Sequence, residues 1–303
     1  MSSMPELPEV ECLRRSLEPH LLGARCTGAS LLRGDMCRGI AGAKVSPTAM
    51  LKGRAVASLE RLGKNLAIVS NEGAVLCVHL GMSGQVLIEE REEPRTHVHA
   101  RWTFTTPGGR TATMTFRDPR RFGGLAVASS MDAVRVHAWA GLGPDALSID
   151  AGSLRERAGR SARAIKSILL DQRVLAGVGN IYADEALFAA RIHPERPGNS
   201  LAPREWAALA ARVRDVLASA IASGGSTLRD YVNANGAKGR SQHTHAVYGR
   251  GGETCTVCEK RLTLTVLGGR ATVYCARCQP ASGTNISTSA SGRTSCRATR
   301  PLC

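Results

Sequence analysis

Two pairs of cysteines near the C-terminal end are the feature that most constrains how this 303-residue chain can fold. They read Cys255-x2-Cys258 and Cys275-x2-Cys278, with sixteen residues between the pairs. Two such knuckles suit one tetrahedral zinc ion, and the β-branched segment between them predicts a β-hairpin. Two disulfides are the alternative, which a reducing compartment disfavours. Because four cysteine ligands leave no open coordination position, we expect a structural zinc ion.

The overall charge indicates a polyanionic partner. Forty Lys and Arg residues stand against twenty-five Asp and Glu residues, so the formal net charge is +15. An excess of this size fits binding to nucleic acid. A membrane-surface protein can carry the same bias, but the sequence holds no basic amphipathic helix and no long apolar run. The first residues also lack the basic and apolar segments of a secretory signal, so we expect a cytoplasmic protein without membrane contact.

The N-terminal part predicts one helix followed by an antiparallel β-sandwich. From residue 8 to about 22, apolar residues recur at helical spacing behind a proline, with acids early and bases late. From 45 to about 127 the pattern changes to short β-branched segments separated by turn sequences. The predicted strands are 55–59, 66–70, 75–80, 85–88, 101–105, 111–116 and 124–127.

The second half of the chain predicts a connector and then a helical domain. Residues 132–149 are rich in turn-forming sequence and are predicted to be a linker. Helical periodicity returns with Leu154, Ile165, Ile168 and Leu169, continues at 182–190 and gives a long helix at about 203–223.

The chain ends in a segment that has little to bury. Residues 281–303 are rich in Ser, Thr, Gly and Arg, so we predict a disordered tail. Its arginines can add phosphate contacts or be simply solvated; they are Arg293, Arg297 and Arg300. Four further cysteines lie singly in apolar stretches and are predicted to be reduced core residues: Cys12, Cys26, Cys37 and Cys77.

Near the start of the chain, a proline stands beside a carboxylate in Met4-Pro5-Glu6. If the amine of Pro5 is free, it is a secondary amine that can attack the anomeric carbon of a deoxyribose and form an iminium ion. An α-amino pKa of about 8 leaves a useful unprotonated fraction near neutrality, and Glu6 can shuttle protons to and from the sugar. A proline-punctuated helix start is the alternative, and these residues alone favour it.

Motifs along the whole chain resemble those of the formamidopyrimidine-DNA glycosylase family, bacterial enzymes that excise oxidised purines. The N-terminal segment and the cysteine hairpin both match, and six motifs between them occur in the family's order. These are Gly63-Lys64-Asn65-Leu66, His79-Leu80-Gly81-Met82-Ser83-Gly84, Asp118-Pro119-Arg120-Arg121-Phe122-Gly123, Gly177-Val178-Gly179-Asn180-Ile181-Tyr182, Gly224-Gly225-Ser226-Thr227-Leu228 and Val247-Tyr248-Gly249-Arg250-Gly251-Gly252. The resemblance covers residues 4–279, and its motifs are specific.

The resemblance implies chemical roles for four residues. Pro5 is expected to be the nucleophile and Glu6 the proton donor. Lys64 is expected to assist β-elimination and to contact phosphate, although a lysine on such a loop is more often simply solvated. Arg270, at the tip of the predicted hairpin, is expected to grip phosphate at the lesion and to take part in δ-elimination.

The resemblance also implies DNA contacts. His79 and His97 are expected to meet the DNA backbone, whereas a single histidine near a strand is usually a satisfied polar residue. Met82, Arg120 and Phe122 resemble the family's trio that enters the duplex and fills the gap left by the extruded base. In an unrelated protein, the methionine and the phenylalanine would belong to the core.

The segment Gly177-Val178-Gly179-Asn180 resembles the family's helix-two-turn-helix element. Its glycines permit close approach of the backbone to a phosphate, and Asn180 can add an amide donor. Arg163, ahead of the first helix of this element, is a looser candidate for a backbone contact. A Gly-x-Gly-Asn sequence by itself is weak support.

Two features depart from the family's pattern. Three residues precede Met4, and a proline locked in an amide bond has no lone pair to donate. We therefore expect Met4 to be the biological start and its removal to expose Pro5. In the loop 239–243, which resembles the family's base-recognition loop, Ser241 stands where many members have an aromatic residue. This second difference concerns the preferred lesion more than the type of reaction.

The sequence thus predicts an α+β multidomain fold. It combines an N-terminal helix and antiparallel β-sandwich, a helical helix-two-turn-helix domain and a C-terminal zinc-ribbon-like β-hairpin. The expected parts are an extension at 1–3, a catalytic β-sandwich domain at 4–131, a linker at 132–149, a helix-two-turn-helix domain at 150–235, a recognition loop and zinc finger at 236–280, and a disordered tail at 281–303.

The predicted function is excision of oxidised purines, such as 8-oxoguanine and formamidopyrimidines, from double-stranded DNA, followed by β,δ-elimination at the abasic site. We expect a monomer with one zinc ion in the bacterial cytoplasm, associated with the nucleoid when on DNA. One alternative is an endonuclease VIII-like enzyme acting on oxidised pyrimidines, which the wedge trio disfavours. The other is a non-catalytic binder of damaged DNA, which has no need of the intact Glu6 and Lys64.

Overall fold

A computed structural model describes residues 4–89 and 96–281 of the chain. It begins with helix α1, Leu7–Leu21, where the sequence predicts a helix. Pro8 lies in the first turn, where the N–H that it lacks would have no partner within the helix. The Glu9 carboxylate accepts the backbone N–H of Glu6 at 2.8 Å and so satisfies one free donor at the helix start.

Nine strands of the described chain form two sheets that share one core. They are β1 Arg25–Leu31, β2 Cys37–Gly39, β3 Val56–Leu62, β4 Asn65–Ser70, β5 Val75–His79, β6 Gln85–Glu89, β7 Val98–Thr105, β8 Thr111–Arg117 and β9 Gly124–Ala128. One sheet has the order β1-β7-β8-β6 and the other the order β2-β9-β5-β4-β3. Neighbouring strands are antiparallel except β2 and β9. Apolar residues of both sheets and of α1 pack together between them, so the predicted sandwich is confirmed.

The sequence does not predict two of these strands and one helix. β1 contains Gly28 and alternates poorly between buried and exposed positions, and β2 has only three residues. Both are stabilised by pairing with distant strands, β7 and β9. Helix α2, Met131–His137, lies largely within the predicted linker 132–149 and is capped by Ser130, whose hydroxyl accepts the Ala133 N–H at 3.1 Å. The predicted linker is therefore partly helical.

The second half of the described chain is helical before the cysteine hairpin, as predicted. The helices are α3 Ala151–Ala158, α4 Ile165–Leu169, α5 Asn180–Ala189 and α6 Pro203–Ala222. α3 and α5 both pack against α6, whose buried face repeats at helical spacing. Leu7 and Cys12 of α1 belong to the same core, so α1 joins the helical part to the sandwich.

After α6 the chain returns to the sandwich and then forms the hairpin. Ala234 is buried in the sandwich core, and its carbonyl accepts the Ile88 N–H at 2.8 Å. β10, Thr263–Leu267, and β11, Arg270–Tyr274, form the predicted antiparallel hairpin. Gly268 and Gly269 connect them with φ values of 57° and 75°, which glycine adopts without strain.

The single cysteines and the chain ends complete the description. Cys12, Cys26 and Cys77 are buried free thiols and Cys37 is a half-buried one, as predicted. In the part of the chain that the structure describes, no helix combines the length and the apolar character needed to cross a bilayer. The predicted tail, from residue 282 onward and including its three arginines, and the predicted extension 1–3 lie outside the described residues.

Candidate active site and zinc centre

Residues from distant segments meet around one cavity of about 470 Å³. The lining residues belong to the segment before α1, the loop between β3 and β4, the loop before β6, the segment after α4, the N-terminal end of α5, the loop that carries Tyr248 and the tip of the hairpin. They include Met4, Glu6, Lys64, Met82, Asn180 and Arg270. Glu6, Lys64, Asn180 and Arg270, which belong to four separate sequence motifs, thus share one site. Pro5, directly before Glu6, lines a smaller chamber that shares the Met4 and Met82 walls with this cavity.

The Glu6 carboxyl group is held by the N-terminal end of α5. It is 2% exposed and accepts the backbone N–H groups of Gly179 at 2.6 Å and Ile181 at 2.9 Å. A Cβ atom on Gly179 would lie 2.3 Å from the Glu6 carboxyl carbon, so only glycine permits this approach. Burial raises the pKa of Glu6 to about 7, although the nearby Lys64 ammonium acts in the opposite direction. Glu6 can therefore hold or release a proton near neutral pH.

Lys64 lies on the turn between β3 and β4 and is 8% exposed. Burial lowers the pKa of its ammonium group, the Glu6 carboxylate opposes this, and the Arg270 guanidinium adds to it. The positive charge of Lys64 thus faces both a carboxyl group and a second cation across the cavity. Such a pair of cations suits an anionic group bound between them.

The turn that carries Lys64 is fixed by an ion pair to a distant segment. Arg61 at the end of β3 places its two terminal nitrogens 2.6 and 3.1 Å from the Asp145 carboxylate. The same carboxylate accepts the Gly63 N–H at 2.8 Å. Arg61 also contacts Glu11 of α1 at 3.0 Å. These contacts tie α1, the turn and the segment before α3 together, so they determine where Lys64 projects.

Arg270 is exposed at the hairpin tip, and a buried lysine docks the hairpin behind it. The ammonium group of Lys166 lies 2.7 Å from Asp184 and donates to the Ala271 carbonyl at 2.9 Å and the Thr272 hydroxyl at 2.8 Å. Lys166 comes from α4 and Asp184 from α5. Three elements therefore meet at this ion pair and hold Arg270 at the cavity edge.

Two more hydrogen bonds secure β11 against α5. The Asn180 side-chain amide donates to the Ala271 carbonyl at 3.0 Å, and the Asp184 carboxylate accepts the Val273 N–H at 3.1 Å. Asn180, predicted as a DNA contact, thus also supports the hairpin. Lys166 and Asp184 are not predicted as site residues from the sequence, because their only local signal is a charge placed within an apolar helical run.

Glu9 forms a second buried carboxyl site beside Pro5. It is 1% exposed, accepts the Tyr182 hydroxyl at 2.6 Å and the Ser226 N–H at 2.7 Å, and lines the small chamber with Pro5. Burial raises the pKa of Glu9, which these donors counteract. Sequence reasoning misses this site because Glu9 resembles an ordinary first-turn acid. Its partners Tyr182 and Ser226 lie far along the chain and meet it only in the folded protein.

The predicted wedge residues lie on two loops, one after β5 and one after β8. Phe122 is 57% exposed, and the guanidinium of Arg120 lies 4.9 Å from the centre of its ring. Met82 is partly exposed at the wall shared by the cavity and the small chamber. The loop after β8 is held by the buried Asp118 carboxylate, which accepts the Ser83 hydroxyl at 2.6 Å. A core position, the alternative for the two apolar side chains, does not fit these exposures.

The three remaining predicted DNA contacts lie in different surroundings. His79 lines another cavity, of about 500 Å³, beside Phe122, and burial lowers its pKa, as does the charge of Lys64. His97 is exposed and has a φ of 64°. Arg163 is exposed and donates to Asp171 at 3.0 Å. The structure does not bring these three side chains into the 470 Å³ cavity.

The four cysteines of the two knuckles converge at the base of the hairpin. Their sulfur atoms all lie within 4.8 Å of one another, with Cys255 to Cys278 at 4.0 Å and Cys258 to Cys275 at 3.4 Å. Tetrahedral zinc with bonds of about 2.3 Å requires sulfur separations of roughly 3.8 Å. The thiolate set and its spacing therefore fit zinc.

Three family models together match most of the chain. The one described as the formamidopyrimidine-DNA glycosylase N-terminal domain matches residues 4–125, and the H2TH domain of the same enzymes matches 142–232. The third, described as a zinc finger found in FPG and IleRS, matches 252–281. With the sulfur geometry, this match identifies the cysteine cluster as the site of one zinc ion.

Whole-length relatives show the same similarity. A formamidopyrimidine-DNA glycosylase of Teredinibacter turnerae is 41% identical over 279 residues, which cover 91% of this chain and all of the relative. The MutM (Fpg) crystal structure from Thermus thermophilus has a TM-score of 0.77 and 39% identity, and covers 91% of this chain and 98% of that chain. Lactococcus lactis Fpg in complex with DNA containing an abasic site has a TM-score of 0.81 and 30% identity, and covers 91% and 99%.

Proposed function

Because the chain belongs to the formamidopyrimidine-DNA glycosylase family, we propose that it excises oxidised purines from duplex DNA and then cleaves the strand at the abasic site. It is a DNA repair glycosylase, and its partner is damaged double-stranded DNA. The substrates in this proposal are 8-oxoguanine and ring-opened formamidopyrimidines. One observation carries it: the Glu6 carboxyl group, with its pKa raised to about 7, shares a cavity with two cations.

The first step of the proposed reaction is attack by the amine of Pro5. Its lone pair forms a bond to C1′ of the damaged nucleotide, and the glycosidic bond breaks with its electrons leaving on the base, which takes up the N–H proton that the amine gives up. Glu6 gives its proton to the ring oxygen as the sugar opens, which leaves an iminium ion. A carboxyl group with a pKa of about 7 is suited to this donation near neutrality.

The iminium ion then acts as an electron sink for two eliminations. Loss of a C2′ proton expels the 3′ phosphate, and a second elimination expels the 5′ phosphate. Lys64 and Arg270 supply positive charge where these phosphates develop, and their position around one cavity supports that role. The zinc ion supplies no chemistry here, because four thiolates fill its coordination shell.

We assign the DNA contacts to the residues predicted from the sequence. Met82, Arg120 and Phe122 enter the duplex, and the exposure of Phe122 supports this. His79, His97, Arg163 and Asn180 bind the backbone, as the motif resemblance implies. We further propose the domain boundaries given above, a monomeric enzyme and a location in the bacterial cytoplasm.

The mechanism requires that the amine of Pro5 be free. Residues 1–4 must therefore be absent from the working enzyme, since an amide nitrogen is not a nucleophile. Intact-mass measurement of the native protein tests this requirement directly. A mature chain that begins at Ser2 and still forms a covalent adduct would assign the chemistry to another amine, such as that of Lys64.

Borohydride trapping on a duplex with 8-oxoguanine tests the function. We expect a covalent protein–DNA adduct, which Glu6→Gln should reduce strongly while DNA binding persists. Binding without any adduct would instead support the non-catalytic binder. Parallel duplexes with an oxidised pyrimidine address the endonuclease VIII-like alternative, and faster pyrimidine release would overturn the proposed substrate.

A further inference from the structure

Two buried carboxyl groups belong to the surroundings of Pro5: Glu6 follows it directly in the chain, and Glu9 lines the small chamber with it. In the proposed function, Glu6 must carry a proton in order to donate it to the sugar. The Pro5 amine, with an α-amino pKa of about 8, is mostly protonated at neutral pH and must lose a proton before it attacks. One carboxyl group cannot accept this proton while it holds its own. In the molecules whose Glu6 is already protonated, which predominate below about pH 7, a second group has to remove the proton from Pro5.

A continuous chain of hydrogen bonds leads from Glu9 towards the surface. The Tyr182 hydroxyl donates to Glu9 at 2.6 Å and lies 3.1 Å from the Ser226 hydroxyl. The Ser226 hydroxyl in turn lies 3.1 Å from Nε2 of His245, a partly buried side chain. Hydroxyl groups and a neutral imidazole can each give and take a proton, so the chain is able to conduct one.

We propose that Glu9, Tyr182, Ser226 and His245 form a proton relay that deprotonates Pro5 and releases the proton at the surface. The relay rests on the proposed role of Pro5 as nucleophile. An N–H bond of Pro5 breaks as an O–H bond to Glu9 forms. Once Glu9 carries the proton, the Tyr182 hydroxyl turns from Glu9 to Ser226 and the Ser226 hydroxyl to Nε2 of His245. At each hydroxyl one O–H bond then breaks and another forms, and Nε2 of His245 gains a proton while Nδ1 gives one to water. No electrons are transferred, and the other three members act through Glu9 rather than on the substrate.

The surroundings of the relay suit this direction of transfer. Burial raises the pKa of Glu9, so its carboxylate is a stronger base than an exposed one. Burial also raises the pKa of Tyr182, which remains a neutral phenol, and lowers the pKa of His245, which is a neutral acceptor at neutral pH. Other ionisable groups face both ends of the relay. Those near Glu9 are Glu6, Lys64, Cys12 and Tyr231. Those near His245 are Glu185 and His243.

His245→Gln is the most informative variant. The glutamine amide can still hydrogen-bond to Ser226 but cannot take up a proton, so it preserves the packing and removes the relay's end. The assay is the single-turnover rate of borohydride trapping on a duplex with a preformed abasic site, which needs no base release. The matched control is His137→Gln, at an exposed histidine at the end of α2 that does not line the cavity.

At about pH 6.5, His245→Gln should trap DNA about tenfold more slowly than the wild type, and Tyr182→Phe should show the same defect. The difference should shrink by about pH 9, where the amine is already deprotonated. Imidazole added to His245→Ala should restore the rate. A His245→Gln rate equal to the wild type, or a defect that is independent of pH and not rescued, would overturn the relay. A wild type that traps nothing would refute the proposed function instead.

Discussion

Replacing Lys166 by Met should weaken the docking of the zinc hairpin. The size of the effect depends on the Asp184 carboxylate, which then stays buried without its counter-ion. The side chains of Lys166 and Asp184 are 0% and 1% exposed, and their charged atoms lie 2.7 Å apart. Removing the ammonium alone leaves Asp184 buried without its counter-ion. For buried pairs this change costs about 3–5 kcal/mol in the free energy of unfolding.

The pKa of Asp184 makes this loss of unfolding free energy depend on pH. Burial raises that pKa from 3.8 to about 6 even though Lys166 opposes the shift. Without the ammonium, the pKa rises further. Because the pKa of Asp184 is higher in the folded than in the unfolded protein, the free energy of unfolding is greatest below pH 3.8 and falls as the pH rises. In the wild type this fall ends near pH 6, the folded pKa. In the variant it continues to higher pH. The stability gap should therefore widen above pH 6 by about 1.4 kcal/mol per pH unit.

Urea unfolding in saturating zinc at several pH values between about 6 and 8 measures this gap. Lys238→Met, at an exposed lysine, is the matched control and should lose little at any pH. The double variant Lys166→Met with Asp184→Leu removes both charges, so it should recover part of the stability and show no widening. A gap that stays constant over this pH range would refute the ion pair as the source of the loss.

Three shorter predictions concern the reaction and the metal. Release of 8-oxoguanine should slow as the pH rises above about 8, because the amine of Pro5 is then already deprotonated while the raised pKa of Glu6, about 7, leaves less and less of the proton donor; a rate that rises steadily to high pH contradicts this role. Arg270→Ala should weaken binding to an abasic-site duplex by about 1.5–3 kcal/mol at unchanged zinc content, since one charge-assisted contact is lost. Unchanged affinity and excision would remove Arg270 from the lesion. Cys275→Ser should lose bound zinc and DNA binding together, as metal analysis and binding titration can show, because the hairpin folds around the metal; DNA binding retained without zinc would count against this coupling.

Structural features that depend on a few neighbouring residues are predictable from the sequence. The proline and acids before α1, the alternation in β3 to β9 and the spacing of the knuckles each act over a single element, and each predicts an element that the structure contains. β1, β2 and most of α2 escape prediction because their own residues carry little periodicity. Distant partners stabilise the two strands instead. The motif resemblance also names Glu6, Lys64, Asn180 and Arg270, although their roles stay predictions.

By itself, the sequence determined the zinc hairpin, the sandwich with its leading helix, the helical part and the identity of most cavity residues. Only the tertiary structure decided which of these side chains are buried and what they touch. Burial gives Glu6 a pKa of about 7, pairs Lys166 with Asp184 behind the hairpin, and connects Glu9 through Tyr182 to Ser226. The physical reason is that desolvation and charge–charge distance depend on segments far apart in the chain, which meet only when the cores close.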